Sequence, residues 1–300
     1  MKLGIIYAGQ GSQVVGMGKS FYPHEIFDQN EDLKELCFNG PLEKLSYTPY
    51  TQPCMVMVAT IITDLLKEHG IVPDYTAGLS LGEYSALYCA GVFKRQQVID
   101  LARFRGKVMQ EAVSEIESEM IAVLGMKEEL LQDLCHQASS LGVVSISNYN
   151  CPGQLVVAGE KKAVENVKEL ALENKARRVI ALNTSGPFHT SLLKEASLAL
   201  KERFKKETFH EMKIPVIFNT LGHEIEYQSI PEILEKQVMS PVYFEKSIRY
   251  MIDQGVDTII EVGPGKVLSG FVRKIDRSIQ LYQIEDMESL KKTVKALKGE

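Results

Sequence analysis

The chain opens on a run of apolar and small residues, Leu3 to Ala8, that reads as a buried strand and gives way to the glycine-punctuated loop Gly9-Gln10-Gly11-Ser12-Gln13. Helical spacing is short around Leu33 to Phe38. It is sustained after Thr51-Gln52-Pro53, where a proline at the entry and Gly70 at the exit bracket an apolar helix ending near His69. A short strand, Val72 to Ala77, follows. Then come a helix from Glu83 to Ala90, with an acid at its positive end, and a second from Arg95 to Val113. Strands alternating with helices in this way predict a parallel sheet whose loops gather at the carboxyl ends of the strands.

The pattern changes in the middle of the chain. Met120–Gly125, Val143–Asn148, Leu155–Gly159 and Arg178–Leu182 read as strands, with helices over Lys127–Ser139 and Lys161–Glu173. This β-α-β-β-α-β order is the ferredoxin-like arrangement. Each helix has its own apolar face, Leu130, Leu131 and Leu134 on one and Val164, Val167 and Leu170 on the other. The expected organisation is an α/β domain of residues 1–118 and 187–300 with a small subdomain, 119–186, inserted into it. After Ser185 the larger pattern resumes: a helix from Ser191 to Lys206, a strand at Ile214–Asn219, a helix near Pro231–Gln237 and a strand at Thr258–Val262.

Gly78-Leu79-Ser80-Leu81-Gly82-Glu83 sits where a strand must turn into a helix. That is the setting of a nucleophile elbow, in which side chains at the two glycine positions would collide with neighbouring backbone. The pentapeptide alone also occurs by chance in loops. A serine hydroxyl is a weak nucleophile and needs a base within reach. Of the six histidines, His24, His69, His136, His210 and His223 lie in polar surroundings, whereas His189 follows the Gly186-Pro187 break where the two domains would meet. It is either the base for Ser80 or a helix-start histidine bonded to backbone. No carboxylate stands where a triad acid would, which leaves a backbone carbonyl to orient the imidazole. The Leu81 N–H and an N–H of the Gly9-Gln10-Gly11 loop are candidates for an oxyanion hole, and that loop lacks the lysine and spacing of a phosphate loop.

Arg105 interrupts an otherwise apolar stripe of Val98, Leu101, Ala102, Val108, Met109 and Ala112. Burying a guanidinium costs on the order of several kcal/mol unless an anion pairs with it. Two readings follow: an internal salt bridge, for instance to Glu83, or a bidentate clamp for a substrate carboxylate.

Composition narrows the class. A chain of 300 residues with 45% hydrophobic content buries a large core, and a net charge of -5 argues against nucleic acid as a partner. The five cysteines, Cys37, Cys54, Cys89, Cys135 and Cys151, show neither C-x-x-C spacing nor a histidine cluster and read as reduced core thiols, with no metal site. The most apolar run, Met55 to Leu66, carries Thr60, Thr63 and Asp64 and falls short of the ~20 residues a membrane span needs. The apolar stretch after Lys2 is too short for a signal peptide, so a cytoplasmic protein without a membrane partner is expected. The absence of coiled-coil heptads leads to the expectation of a monomer.

These residues, in this order, resemble the malonyl-CoA:acyl-carrier-protein transacylases of fatty-acid synthesis and the related acyltransferases of polyketide assembly, over essentially the whole chain. The motifs in register are Gly9-Gln10-Gly11-Ser12-Gln13, Gly78 to Glu83, Arg103 to Gln110, Asn148-Tyr149-Asn150-Cys151-Pro152-Gly153-Gln154, Gly186-Pro187-Phe188-His189 and Gln237-Val238-Met239-Ser240-Pro241-Val242. The resemblance implies that Ser80 is acylated, that His189 is its base, and that Arg105 binds the malonyl carboxylate. It further implies an oxyanion hole from the Gln10 and Leu81 N–H groups, and Gln237 beside the histidine, where backbone carbonyl oxygen replaces the triad acid.

The same resemblance implies a hydrolase-like α/β domain with an inserted ferredoxin-like subdomain, and acyl selectivity set by Leu81 and Phe188. The CoA thioester enters as substrate, with no bound cofactor and no metal. The partners are malonyl-CoA and an acyl carrier protein bearing phosphopantetheine. Because that carrier is expected to be acidic, Lys175, Arg177 and Arg178, or Arg273, Lys274 and Arg277, are candidate docking residues or else plain solvated faces. Two departures stand out: Leu79 occupies a position commonly His in the family, and Ala8 replaces a common Pro. The rivals are an acyl-carrier-protein or acyl-CoA thioesterase with the same Ser-His pair, disfavoured by Arg105, and a non-catalytic carrier-protein-binding module, disfavoured by an intact Ser80, His189 and Arg105.

Overall fold

A computed structural model describes residues 1–299. The strands in chain order are β1 (Leu3–Tyr7), β2 (Tyr75–Gly78), β3 (Ser118–Leu124), β4 (Val144–Cys151), β5 (Gln154–Glu160), β6 (Arg178–Ala181), β7 (Val216–Ile217), β8 (Thr258–Val262) and β9 (Gln280–Ile284). They form a parallel sheet of order β7-β2-β1-β8-β9 and an antiparallel sheet of order β4-β5-β3-β6. The fold is thus the α/β parallel sheet with a ferredoxin-like βαββαβ unit that the residue pattern predicts, in the hydrolase-like arrangement that the resemblance implies.

β1 is buried at every residue because helices cover both faces of the parallel sheet. Ile5 and Tyr7 point into one core, shared with Val56, Met57 and Ile61 of the Thr48–Glu68 helix. Ile6 points the other way, toward Phe244, Ile248 and Val272. The antiparallel sheet has a third core, Ile121, Val123, Leu131, Leu134, Val157, Val164 and Val167. Its opposite face, carrying Met120, Ala122, Val156 and Ala158, packs into the first core and so lies against the main domain. Leu130, expected on the apolar face, is exposed instead.

Several boundaries differ from the pattern for identifiable reasons. The long helix begins at Thr48, with Pro49 in its first turn, and Pro53 lies inside it. A proline there removes only one early N–H bond, which the buried apolar face outweighs. The strand leading to the elbow starts at Tyr75, not Val72: Pro73 has no N–H to give a ladder, and Val72 is exposed. The expected strand at Ile214–Asn219 contracts to β7, and the helix after Ser191 divides into a tight turn, Ser191–Leu193, and a helix, Lys194–Phe204. A helix, Phe244–Asp253, leads into β8, and beyond β8 the chain adds helices Val267–Ile275 and Met287–Lys298 on either side of β9. No helix among the described residues is long and apolar enough to cross a membrane.

Candidate active site

β1 and β2 are neighbours in register, Tyr7 opposite Gly78, so the loops leaving their carboxyl ends emerge side by side. One carries Gln10 and the other Ser80. Ser80 is held at φ 52°, in the left-handed region that a residue with a side chain adopts only when its surroundings impose it. The flanking glycines explain the tight turn. A Cβ at Gly78 would run into the Gly82 and Glu83 backbone, and one at Gly82 into the Tyr7 carbonyl.

His189 Nε2 lies 2.7 Å from Ser80 Oγ. On the far side of the ring, Nδ1 is 2.9 Å from the Gln237 carbonyl and 3.1 Å from that of Ser240. Two acceptors there place the ring proton on Nδ1 and leave Nε2 free to accept the serine proton. Burial, aided by the Arg105 charge, pushes the imidazole down to about 4, so it is a neutral base near neutral pH.

Arg105, 1% exposed, reaches the same point from the Arg95–Ala112 helix. It donates to Gln52 Oε1 (2.8 Å), Gln237 Oε1 (2.9 Å) and Ser80 Oγ (3.2 Å), and its guanidinium lies 5.3 Å from the centre of the Tyr84 ring. Its hydrogen-bonding partners are neutral. The alternative of a salt bridge to Glu83 is not formed: the buried Glu83 carboxyl accepts the Asn219 N–H at 2.6 Å, and burial pushes it up to about 8. A cation has therefore been placed beside a hydroxyl with no carboxylate among the described residues in ion-pair contact.

The Ser80 N–H donates to Asn219 Oδ1, whereas the Gln10 and Leu81 N–H groups meet no acceptor among the described residues and remain available to a ligand oxygen. Gln10 is steadied by its side chain, which donates to Thr48 Oγ1 at 2.8 Å; Thr48 in turn pairs with the Ser185 hydroxyl. Gln237 contributes through both its parts, since its Nε2 also donates to the Ser80 carbonyl at 2.9 Å. Above them is a cavity of about 180 Å³, walled by Met109, Leu81 and Phe188 and covered by Met120 and Val156 of the antiparallel sheet. Leu79 lines it too, packing against the apolar cluster of Val242 and Phe271.

Ser80, His189, Arg105, Gln10, Leu81, Gln237 and Phe188 thus converge. The two basic groups lie outside on exposed surface. Arg273 and Lys274 share a helix with Val267 and Phe271, which line the cavity; Lys175, Arg177 and Arg178 lie around the start of β6, whose continuation at Leu182 reaches it. Sequence reasoning missed Gln52, Asn219 and the Ser240 carbonyl. Gln52 left a detectable signal, a polar residue within a long apolar helix. Among the described residues no group of three or more His, Cys, Asp or Glu side chains is placed to hold a metal ion.

A strained serine at the end of a parallel strand, beside a neutral histidine, defines a site for covalent acyl chemistry on serine. Residues 5–295 match the acyl transferase domain family. The malonyl CoA-acyl carrier protein transacylase of Bacillus subtilis is 41% identical over 311 residues, covering 100% of this chain and 98% of that protein. The crystal structure of the Clostridium perfringens malonyl CoA-acyl carrier protein transacylase superposes with a TM-score of 0.95 at 40% identity, covering 100% of this chain and 98% of the other. A malonyl-transacylase solved in complex with its type II polyketide acyl-carrier protein superposes with a TM-score of 0.94 at 34% identity, over 100% of both chains. This chain belongs to the malonyl-CoA:acyl-carrier-protein transacylase family.

Proposed function

We propose that this protein moves the malonyl group of malonyl-CoA onto the phosphopantetheine thiol of an acyl carrier protein, through a malonyl ester on Ser80. The observation that carries the reading is Arg105, buried beside the Ser80 hydroxyl and bonded only to neutral groups. A malonyl carboxylate is the anion that completes it, and its three-carbon length suits a clamp this close to the nucleophile.

In the first half-reaction His189 Nε2 takes the Ser80 proton as Oγ attacks the thioester carbonyl. The oxyanion sits on the Gln10 and Leu81 N–H groups, and CoA leaves with the proton from His189. In the second, the carrier thiol gives its proton to His189, its sulfur attacks the ester, and Ser80 recovers the proton. The Gln237 and Ser240 carbonyls stabilise the transient imidazolium, which takes the place of a triad carboxylate. Residues 119–186 act as the inserted subdomain that roofs the ester against water. Leu81 and Phe188 limit the room beside the acyl carbon. No metal or bound cofactor is required, and a cytoplasmic monomer suffices.

Intact-mass analysis tests the assignment. Wild type mixed with malonyl-CoA should gain one malonyl group and lose it to added carrier protein, and Ser80→Ala should gain none. An adduct on the alanine variant removes Ser80 as nucleophile. Free malonate in place of a stable ester identifies a thioesterase instead.

A further inference from the structure

The strained conformation of Ser80 needs something to hold it, and the glycines only permit it. The parallel ladder that ends in the elbow is short: β2 pairs with β7 only at Thr76 opposite Val216 and Ala77 opposite Ile217. Beyond that point the backbone of the β7 chain turns away, with the Phe218 N–H bonded to the His223 carbonyl. The elbow is left with a carbonyl at Gly78 and an N–H at Ser80 that no strand pairs. Both go to one side chain. Asn219 Oδ1 accepts the Ser80 N–H and Asn219 Nδ2 donates to the Gly78 carbonyl, each at 2.6 Å. A primary amide offers a donor and an acceptor side by side, as a strand does, so Asn219 continues the ladder with its side chain where the backbone has left it.

Asn219 is itself fixed. Its N–H donates to Glu83 Oε2 at 2.6 Å, its carbonyl accepts the Tyr243 N–H at 2.8 Å, and both Asn219 and Glu83 are buried. Glu83 lies in the first turn of the helix that follows the elbow, so the brace closes a loop: helix to Glu83, Glu83 to Asn219, Asn219 to the two peptide groups flanking the nucleophile. We propose that Asn219 is a positioning residue for the serine, splinting the elbow so that Ser80 Oγ meets His189 Nε2 and so that the Ser80 N–H is kept out of the oxyanion hole. This rests on Ser80 being the acylated residue. Asn219 is not among the hydrogen-bond partners of Arg105 and does not line the cavity, and so acts on the chemical step and not on malonyl-CoA binding.

The test is the single-turnover rate of malonyl-enzyme formation against malonyl-CoA concentration, which separates the limiting rate from the half-saturating concentration, on variants shown folded by circular dichroism. Asn219→Ala should lower the limiting rate by about 100-fold, the scale of misplacing a reacting group by about 1 Å, with half-saturation changed less than about threefold. Asn219→Asp supplies a second readout that a simple loss of stability does not mimic. As a carboxylate it keeps an acceptor but has no donor for the Gly78 carbonyl, and once protonated it presents one O–H and one C=O, as the amide does. Its limiting rate relative to wild type should rise at least tenfold from pH 8 to pH 5.5. Dividing by wild type removes the titration of Glu83 and His189, the groups facing the brace from the elbow helix and across Ser80, while Arg105 and Tyr84 keep their charge states over that range; Tyr243 meets the brace through its backbone N–H.

A limiting rate for Asn219→Ala within threefold of wild type overturns the proposal, as does a loss confined to half-saturation. If the alanine variant does not fold, the pH response of Asn219→Asp decides: a flat ratio overturns the proposal. Ser80→Ala run alongside separates the two levels. An adduct on it sinks the nucleophile assignment, whereas no adduct on it together with normal Asn219 variants sinks only the brace.

Discussion

Replacing Arg105 by alanine distinguishes a substrate clamp from an internal structural cation, because the substrate can be given or denied its own charge. The guanidinium is 1% exposed and lies within hydrogen-bond reach of Ser80, so in the acyl-enzyme a malonyl carboxylate would be wholly desolvated against it. Truncating one member of a buried, hydrogen-bonded charge pair costs about 2 to 5 kcal/mol. At 1.36 kcal/mol per tenfold, that is a loss of about 30-fold to about 5,000-fold in kcat/KM for malonyl-CoA.

Part of any loss will be structural. Gln52 Oε1 and Gln237 Oε1 each lose a donor, and a buried acceptor left unsatisfied costs about 1 to 3 kcal/mol. That damage falls on every substrate alike. Acetyl-CoA, identical at the reacting carbonyl but without a carboxylate, measures it directly, and the ratio of the two kcat/KM losses isolates the clamp. The variant should also shift the base: the Arg105 charge helps hold His189 down, so the acid limb of the acylation profile should move to higher pH. Parallel losses for the two thioesters on a folded variant would refute the clamp.

Stability should carry its own pH signature. Glu83 is raised to about 8 from 4.5, so its contribution is complete at low pH and is lost as pH rises through 8, while His189, lowered from 6.5 to about 4, contributes above 6.5 and loses as pH falls through 4. Between pH 6.5 and 8, of these two groups only Glu83 still contributes a slope, and urea unfolding should show wild type losing about 1 to 2 kcal/mol more there than Glu83→Gln; equal declines in the two mean Glu83 is not held neutral. Reversing Arg273, Lys274 and Arg277 to glutamate should raise KM for the carrier protein and flatten its salt dependence, leaving malonyl-CoA acylation intact; an unchanged KM at low salt removes this face from docking. The proposed selectivity role of Leu81 and Phe188, which line the cavity beside Ser80, predicts that methylmalonyl-CoA is disfavoured by about 1 to 3 kcal/mol, and equal kcat/KM for the two thioesters defeats that role.

What the sequence made legible follows from which constraints act on residue type. Parallel strands covered on both faces are largely apolar, so β1 announces itself throughout and β8 through Ile259, Ile260 and Val262; two residues of β7 do not. The elbow is legible because close backbone approach admits only glycine at 78 and 82. Arg105 is legible because a charge on a buried stripe is an anomaly that demands a partner. Its actual partners were not legible. The amides of Gln52 and Gln237 satisfy it without charge, so the search for a carboxylate led to Glu83, which is engaged elsewhere. The missing triad acid is the same problem in its sharpest form. Every residue carries a carbonyl, so the two that orient His189 leave no mark on residue identity, and only the turn that follows the Ile230–Gln237 helix brings the Gln237 and Ser240 oxygens to the same nitrogen. Pattern reports what a position must exclude; which neutral neighbour satisfies a buried polar group is decided by the path of the chain, and here that path supplies the groups that hold both His189 and the Ser80 elbow.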